Sequence, residues 1–402
     1  MDASNPTPIV TPQNEVVIQP LAFANMTAMF ILIGAIASLY GPLLIRFSHK
    51  FQISLPAAGV VISVHFVGAL FGVPMGWLGV KRVAGKVAII ASLFALGVGV
   101  AGVATADSWT LLLVSVFFVG FGFGALDFTV NTLLARTAIK RRPHRLSLAN
   151  AGYAVGAVIG PFLVIVLHPH NYPILFGAMA VIAVLLTFNN RGIIAPPVRV
   201  EHHEHREVME RTQRRAILLT FIVAYILYVA CESSASGWIA SHLNRVGYSA
   251  SLGSVITAGF WLGLAAGRVI GGPLHKRFSH KLLVLAGVSL AIVVSTSALS
   301  NGLAPYAYPI LGVVLASVYP MGLIWYTLLC PDDGNGLALI ILCMMSGGIF
   351  GPAAQSVMVS HFGIHAVPIV IASFAILTLG AFGSALRFSP PLARLGGATI
   401  VN

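Results

Sequence analysis

The sequence predicts an all-α membrane protein of twelve transmembrane helices, built as two six-helix halves related by a pseudo-two-fold axis along the membrane normal. Three observations predict this fold class. The composition is too apolar for a soluble protein, twelve apolar runs have membrane-spanning length, and a motif from the first half recurs in the second. Composition, run length and internal similarity are separate properties of a sequence, so their agreement strengthens the prediction.

Composition places the protein in a lipid environment. Of the 402 residues, 57% are hydrophobic and only 8% are charged. A soluble domain carries about 25% charged residues, so lipid must cover much of this surface. The net charge is +12, but the basic residues lie in short segments between apolar runs, which argues against a nucleic-acid partner. The expected partners are the lipid bilayer and a small-molecule substrate, and the expected state is a monomer.

The apolar runs define the predicted spans. A helix needs about 20 apolar residues to cross the hydrocarbon core. The twelve runs are 22–44, 55–79, 86–105, 110–135, 147–168, 173–190, 216–240, 251–274, 282–300, 305–328, 337–359 and 364–386. They divide the chain into a tail at 1–21, a half at 22–190, a linker at 191–215, a half at 216–386 and a tail at 387–402. The polar segment Met1 to Pro20 lacks signal-peptide features and is predicted to be a mobile tail.

The distribution of positive charge orients the spans. With the N-terminus inside, the inner loops and C-terminal tail hold 19 of the 23 lysines and arginines, whereas the outer loops hold Arg46, Lys50 and Arg245. One missed helix would invert every later loop, so this asymmetry supports the helix count. It predicts a multi-pass protein of the plasma membrane (the inner membrane of a bacterium) with both termini in the cytoplasm.

The two halves share a motif at an offset of 195 residues. GALFGVPMGWLGVKRVAGK at 68–86 aligns without gaps with GLAAGRVIGGPLHKRFSHK at 263–281, and six positions are identical. The identities are three glycines and a basic triplet, Lys81, Arg82 and Lys86 in the first copy and Lys276, Arg277 and Lys281 in the second. A second echo pairs GAVIGP at 156–161 with GGIFGP at 347–352. The glycines predict close helix contacts, and the basic residues a structural or gating role in the inner loops.

Two acidic residues fall inside predicted spans, Asp127 in the fourth and Glu232 in the seventh. Each costs roughly 2.5–3.5 kcal/mol to insert near a helix centre, so a purpose is expected for both. Three alternatives remain open: a proton relay, a hydrogen bond to substrate, or a structural pair with a basic residue of a neighbouring helix. Asp127 and Glu232 are therefore candidates for proton coupling.

Polar residues accompany both acids at helical spacing. Asn131 lies one turn beyond Asp127, and a carboxylate and a carboxamide so placed can jointly hold vicinal hydroxyl groups. Tyr228, Glu232 and Ser236 share a stripe near Trp238, which suits a sugar-like ligand whose C–H faces stack on rings. The other candidate substrate-binding residues are Asn150, Trp261, Trp325, Tyr326 and Gln355. Helix packing is the alternative for each of them.

The remaining ionisable groups give weaker signals. His65 in the second span is a candidate proton carrier, although packing as a hydrogen-bond partner is the alternative. Arg268 in the eighth span is predicted to be a gate or anchor. His202, His203 and His205 in the linker have no matching ligand set nearby and are predicted to be solvated. No phosphate-binding glycine loop, HExxH motif or nucleophile elbow occurs, so neither an enzyme nor a cofactor is expected, and the proton gradient is the expected energy source.

These motifs resemble those of the major facilitator superfamily. The glycines followed by KR…K resemble its loops after helices 2 and 8, and GFGFGALDFTVN at 120–131 is similar to a stretch of the fucose permease-like group (fucose–galactose–glucose:proton symporters). CESSASGW at 231–238 also looks like its seventh helix. The resemblance implies that Asp127 couples protons, Asn131 contacts sugar and Glu232 is the helix 7 acid. Two acids of the group, in helix 1 and in the helix 2–3 loop, have no counterpart here.

Together these patterns predict a secondary active transporter that moves a sugar or related polyol by alternating access with proton symport. One alternative is a proton-driven exporter of amphipathic compounds or drugs, which requires an apolar, aromatic-rich cavity. Another is a receptor or scaffold on the same fold, which would carry a long structured appendage. The short tails and linker argue against that last alternative.

Overall fold

The computed structural model describes residues 16–137, 142–188, 190, 192–195, 211–274, 277–331 and 333–388. Within these ranges the long elements are α1 (Pro20–Lys50), α2 (Leu55–Arg82), α3 (Gly85–Thr105), α4 (Trp109–Ala135), α5 (Arg142–Leu167), α6 (Tyr172–Phe188), α7 (Arg211–Arg245), α8 (Ala250–Leu274), α9 (His280–Ser297), α10 (Ala304–Leu315), α11 (Val318–Leu329), α12 (Gly334–Phe362) and α13 (Ala366–Ala385). Twelve segments are long and apolar enough to cross a membrane, with α10 and α11 joined as one of them. The predicted fold class and helix count are thus confirmed.

The tenth span is broken into α10 and α11, where the sequence predicted one continuous helix. Pro320 explains the break, because it lacks an N–H and its ring crowds the carbonyl four residues earlier. Two tyrosines of α7 satisfy carbonyl groups at the break. The Tyr225 hydroxyl donates to the Tyr319 carbonyl at 2.6 Å, and the Tyr228 hydroxyl lies 3.4 Å from the Leu315 carbonyl.

The end of the N-terminal tail is packed rather than mobile, which corrects the prediction for its last residues. Strand β1 (Val17–Ile18) pairs antiparallel with β2 (Ile193–Ile194), and Val16 and Ile18 are buried. The Val16 amide also donates to the Arg136 carbonyl at 3.0 Å. Residues 1–15 and most of the linker, including His202, His203 and His205, lie outside the described residues.

The chain divides into two compact units that interleave along the sequence. Unit 1 comprises Met1–Ile33, Gly68–Tyr153 and Pro173–Glu204, and unit 2 comprises Gly34–Val67, Ala154–Tyr172 and His205–Asn402. Unit 2 therefore contains the second half of the chain together with the predicted outer ends of α1, α2 and α5. The outer ends of α1 and α2 pack on α7 and α12, and the outer end of α5 packs on α1.

In unit 1, the repeat glycines let α2 pack directly on the backbone of α4. A Cβ atom at Gly68 would collide with the Phe117 carbonyl, and one at Gly72 with the Phe121 carbonyl. In a membrane, helix association depends on such close packing because lipid tails are as apolar as the side chains. The first copy of the motif thus marks the contact between the second and fourth helices of its half.

In unit 2, the second copy makes the same kind of contact between α8 and α10. A Cβ atom at Gly263 would collide with the Pro309 carbonyl, and one at Gly267 would meet the Val313 carbonyl at 2.5 Å. The second and fourth helices therefore meet at equivalent glycines in both halves. The glycines of the sequence repeat are therefore explained by these two equivalent helix contacts.

The second echo also marks equivalent contacts, here between the fifth and first helices of each half. Gly160 of α5 packs against the backbone of Ala35 in α1, and Gly351 of α12 packs against that of Ala230 in α7. Both contacts lie within unit 2. The glycines of GAVIGP and GGIFGP are therefore explained by helix packing.

An ion pair ties together the start of α7, the end of α11 and the start of α12. Arg214 donates from Nη2 to Asp333 Oδ1 at 2.7 Å and from Nε to Oδ2 at 3.2 Å. The Tyr326 hydroxyl donates to Oδ2 at 2.5 Å and the Gly336 amide to Oδ1 at 3.0 Å. Burial raises the pKa of the Asp333 carboxyl, but the hydrogen bonds from Arg214, Tyr326 and Gly336 outweigh burial and hold the pKa at about 2.

Replacing a repeat glycine should destabilise the helix pair that it joins. Gly72→Val and Gly267→Val are each expected to lower the free energy of unfolding by about 3 kcal/mol, the upper end of overpacking costs, because a backbone carbonyl blocks the new side chain. Gly177→Val is the matched control, because no atom lies within 4 Å of a Cβ at that position. Melting temperatures in detergent measure the effect, and equal values for all three variants would contradict it.

Asp333 should contribute a pH-dependent stability. Its pKa lies below the ordinary value of 3.8, so its stabilisation is present above about pH 4 and is lost as the pH falls toward 2. Asp333→Asn is expected to cost about 2 kcal/mol at neutral pH, and the difference from the parent should shrink below pH 4. Thermal melts across pH measure this, with the exposed Asp107→Asn as control. A difference that is independent of pH would argue against a charge effect.

Candidate functional site

Asp127, Asn131 and Asn150 come together in unit 1, as the sequence predicted for the first two. Asn131 Nδ2 donates to Asp127 Oδ1 at 3.1 Å, and Asn150 Nδ2 lies 3.5 Å from Asn131 Oδ1. Asp127 is half-buried, and none of the described lysines or arginines forms an ion pair with it. A structural pairing with a cation is therefore not seen in the described part of the chain.

The position of Asp127 on α4 shows what it faces. Phe121 lies on the side of α4 that meets Gly72 of α2, and Gly122 packs against Leu96 of α3. At about 100° per residue, Asp127 falls on the remaining face of the helix. Phe123 flanks that face and contacts the ring of Tyr153 in α5, with centroids 6.3 Å apart. The carboxylate and its carboxamides thus lie on the α5 side of α4.

Glu232 forms a second polar group with Tyr228 on α7. The Tyr228 hydroxyl donates to Glu232 Oε2 at 2.5 Å, which confirms that the two residues share a helix face. Arg268 of α8 is exposed. The half-buried Glu232 carboxylate and the Tyr228 phenol therefore form a hydrogen-bonded pair on one face of α7.

The other residues expected on this stripe are arranged differently. Ser236 is half-buried, and its hydroxyl donates to the Ser233 carbonyl of its own helix at 3.4 Å. Trp238 is fully buried on the opposite side of α7, where its ring contacts Gly59 of α2. Trp238 therefore lies on a different face of α7 from Ser236, because two residues further along a helix is more than half a turn, and its contact with solute stays a prediction.

Buried polar groups without partners in the described part of the chain occur on the facing helices α7 and α12. Gln355 is 0% exposed, and neither its Oε1 nor its Nε2 has a hydrogen-bond partner among the described residues. In the same ranges, Trp238 Nε1 and the Ser234 hydroxyl also lack partners. Because Gly351 packs on Ala230, the next turn of each helix brings Gln355 to the level of Ser234. We call Gln355, Ser234 and Trp238 the amide cluster.

Burial of the amide cluster costs folding free energy unless a ligand or a water molecule forms hydrogen bonds with it. Each buried polar group left without a partner costs about 1–3 kcal/mol. A carboxamide donates and accepts, a hydroxyl does both, and an indole donates. The complementary group must also donate and accept, which describes a hydroxyl group or a water molecule. Ser234 was not predicted; it lies two residues beyond the predicted Glu232 in CESSAS. Unlike Ser233 and Ser236, whose hydroxyls donate to carbonyls of α7, it has no hydrogen-bond partner among the described residues.

The predicted outer end of α2 lies over the amide cluster. Gly59 lets α2 approach both Trp238 and Ser356, and the Ser63 hydroxyl donates to the Ile349 carbonyl at 2.8 Å. Gly41 of α1 packs in the same way on backbone of α7. We call this contact of α1 and α2 with α7 and α12 the outer seam. It covers the cluster from the predicted outer side.

His65, a candidate proton carrier, belongs to the outer seam. It is 1% exposed, and its Nδ1 lies 3.2 Å from the Tyr40 hydroxyl. Its ring also packs against Phe66, with centroids 5.6 Å apart. The structure therefore places His65 in a packed contact, which is the alternative that its position in the sequence left open.

Three predicted pocket residues lie in packed interiors. Trp325 stacks on Phe382, with ring centroids 6.1 Å apart and planes 21° apart. The Tyr326 hydroxyl binds Asp333 and serves as an anchor. Trp261 is buried against Phe260, with centroids 5.6 Å apart. For Trp325 and Tyr326 the ring stacking and the hydrogen bond to Asp333 support the packing alternative, and a contact with solute stays a prediction.

The basic residues of the repeat lie away from these polar groups in their own units. Lys81 Nζ sits 3.7 Å from the centroid of the Trp77 ring, a cation–π contact. Arg82 and Arg277 are exposed. Lys276 lies outside the described residues. No substrate contact is indicated for the described members of the triplets.

Three solved structures share this fold. A D-xylose-proton symporter has 12% identity and a TM-score of 0.74, covering 92% of this chain and 98% of that one. The fucose:proton symporter FucP of E. coli has 18% identity and a TM-score of 0.61, with 92% and 98% covered. A bacterial homologue of the human lysosomal transporter Spinster, inward-facing and unoccupied, has 13% identity and a TM-score of 0.72, with 93% and 99% covered. At such identities, similarity shows the fold alone.

The family follows from the sequence match. Residues 21–333 match the family model of the Major Facilitator Superfamily, which is well over half of the chain. Among curated protein sequences there is no significant match. The three structures above are transporters or transporter homologues by their descriptions. The chain therefore belongs to the Major Facilitator Superfamily, and it is a multi-pass integral membrane transporter rather than an enzyme.

Proposed function

We propose that this protein transports a neutral, hydroxyl-rich solute, a sugar or related polyol, by alternating access and with proton symport. The observation that carries this proposal is the amide cluster. Gln355, Ser234 and Trp238 present donors and acceptors that no described residue satisfies. Their pattern matches the hydroxyl groups of such a solute, and none of the three side chains carries a charge.

The polarity of this cluster also separates the proposal from the main alternative. An exporter of amphipathic compounds needs a cavity lined mostly by apolar and aromatic side chains. Gln355 is a carboxamide with both ends unsatisfied, which is a poor match for an apolar ligand. An apolar ligand would form no hydrogen bonds with Gln355, so the free-energy cost of leaving the carboxamide unsatisfied would weaken its binding. A hydroxylated solute is therefore favoured.

Asp127 is the proposed proton carrier. It is half-buried, its nearest described polar partner is the neutral Asn131, and no described cation is paired with it. A carboxyl group in such surroundings can exist in either protonation state, which a carrier requires. Glu232, hydrogen-bonded to Tyr228, is the second proposed carrier. His65 packs in the outer seam and has a supporting role at most.

The similar structures agree with this assignment without establishing it. One is described as a D-xylose-proton symporter and another as a fucose:proton symporter. They show that this fold serves sugar–proton symport in other proteins. The proposed energy source here is the proton gradient, without a cofactor.

The outer seam gives the proposed cycle a physical basis. The seam covers the amide cluster from the predicted outer side through Gly59 and Ser63. A solute arriving from outside reaches the cluster only after α2 separates from α7 and α12. Its binding energy then offsets the cost of the unsatisfied groups, so solute binding shifts the populations of the two states. In this proposal the protein is a monomer in the inner membrane, with both termini cytoplasmic.

Gln355→Leu should raise the stability of the protein and weaken its binding of solute. Removing two unsatisfied polar atoms from a buried site is expected to raise the free energy of unfolding by about 1–3 kcal/mol. The same change should weaken binding of the solute about tenfold or more, because a hydrogen-bonding amide is lost. Melting in detergent measures the first effect. Ligand-induced stabilisation across a panel of sugars and polyols, followed by uptake into vesicles, measures the second.

Ser295→Ala is the matched control for Gln355→Leu. Ser295 is buried in α9, and its hydroxyl already donates to the Ala291 carbonyl at 2.5 Å. Its removal should leave uptake unchanged and should not raise stability. If Gln355→Leu transported normally, the amide cluster would have no part in solute binding. If it destabilised the protein, Gln355 would have a structural partner.

Asp127→Asn should uncouple transport from the proton gradient. An amide keeps the shape of the side chain but cannot release a proton, so the rate of proton-driven uptake is expected to fall at least about a hundredfold, the lower end of the range for a positioned proton-transfer group. Exchange of internal for external solute, which needs no net proton movement, should persist. Asp107→Asn, at an exposed loop position, is the control. Proton-driven accumulation by Asp127→Asn would exclude this carrier.

A further inference from the structure

A cavity lies at the predicted outer end of unit 2, and it does not include the residues of the amide cluster. It has a volume of about 160 Å³ and forms where α1, the connection from α5 to α6, α7 and α8 meet. Its lining residues are Pro42, Ile45, Arg46, His49, Pro169, His170, Ala240 and Ala250. None of the residues discussed for solute or proton transport contributes to it.

The polar lining of this cavity is basic. Arg46 and His49 come from the last turns of α1, and His170 comes from the short 3-10 helix Pro169–Asn171. No carboxylate is among the lining residues named above. Arg46 is only partly exposed, and its Nε is buried without a hydrogen-bond partner in the described part of the chain. The charge of this guanidinium favours a cavity ligand that carries negative charge.

The start of α8 also favours a negatively charged ligand in this cavity. Ala250 is the first residue of this 25-residue helix. The Ser249 hydroxyl accepts from the Leu252 amide at 3.1 Å. The amides of the two residues before Leu252 have no intrahelical acceptor, as at every helix start, and together with the helix dipole they attract anions. Guanidinium, imidazoles and helix start therefore converge on one small space.

We propose that this cavity binds a small oxyanion, with phosphate, sulfate and short carboxylates as the chemical class. Its volume equals about five water molecules at liquid density, which suits a group of four or five heavy atoms. Arg46 supplies a fork of N–H donors that matches two oxygen atoms of one anion. The His49 and His170 rings supply further donors from α1 and from the connection to α6.

Occupancy of this site is linked to the outer seam. The cavity exists only where α1 and the α5–α6 connection, from the first half of the chain, meet α7 and α8 from the second. An anion bound there contacts both sets of elements and so stabilises the arrangement in which their outer ends touch. This inference does not depend on the identity of the transported solute.

The test is binding of inorganic phosphate to the purified full-length protein, measured by equilibrium dialysis and by the shift in melting temperature. Sodium chloride at equal ionic strength is the reference for a general salt effect. Phosphate is expected to bind saturably and to raise the melting temperature. Arg46→Gln should weaken phosphate binding about tenfold or more, as expected for loss of a charged hydrogen bond. Arg46→Lys should weaken it less, because the charge remains and the fork is lost.

Arg245→Gln is the matched control, since Arg245 is an exposed arginine at the outer end of α7 that does not line the cavity. It should bind phosphate like the parent. His170→Gln changes a second lining residue, in the short connection between α5 and α6, and it leaves Arg46 in place. This variant should also bind phosphate more weakly than the parent. Equal phosphate binding by the parent, Arg46→Lys and His170→Gln would overturn the proposal, as would a stabilisation that chloride reproduces.

Discussion

Direct backbone contact at glycine is the constraint on which the rest of this structure depends. Because lipid provides no hydrophobic drive for helices to associate, they must pack closely, and close packing requires small residues. Gly72 and Gly267 allow it between the second and fourth helices of each half, and Gly351 allows it between α12 and α7. The last of these contacts fixes the register that brings Gln355 level with Ser234. The polar groups proposed for function are thus positioned by glycines that take no part in the chemistry.

The charged and polar side chains of the described residues divide into those that have hydrogen-bond or ion-pair partners and those that do not. Asp333 receives hydrogen bonds from Arg214, Tyr326 and the Gly336 amide, so its charge is fully compensated and its role is structural. Asp127 has only carboxamides beside it among the described residues. The same contrast separates Ser295, whose hydroxyl is bonded within its helix, from the amide cluster. Groups that the fold leaves unsatisfied are those for which a ligand or a proton is expected, because a purely structural role would have selected partners for them.

In the proposed function, stability and solute binding oppose each other in unit 2. An apolar side chain in place of Gln355 would suit the packed interior better, yet it would remove donor and acceptor groups that a hydroxylated solute needs. The outer seam does not satisfy these polar groups, because α2 packs against Trp238 and Ser356 while Gln355 has no hydrogen-bond partner among the described residues. A state in which the seam is open would replace protein contacts by solute or water contacts. The small energy difference between these choices is what alternating access requires.

The sequence by itself determined the helix count and the repeat, because these depend on apolar run length and on spacing along the chain. The orientation of the spans stays a prediction from the distribution of positive charge. The sequence also placed Asn131 beside Asp127 and Tyr228 beside Glu232, since one helical turn fixes such neighbours whatever surrounds them. Only the tertiary structure decided that Tyr326 anchors Asp333, that Trp325 stacks on Phe382 and that the end of the N-terminal tail pairs with β2. It alone decided that the side chains of Gln355 and Ser234 lack hydrogen-bond partners within the described ranges. Partners from distant segments depend on helix register and rotation, and a linear pattern contains neither.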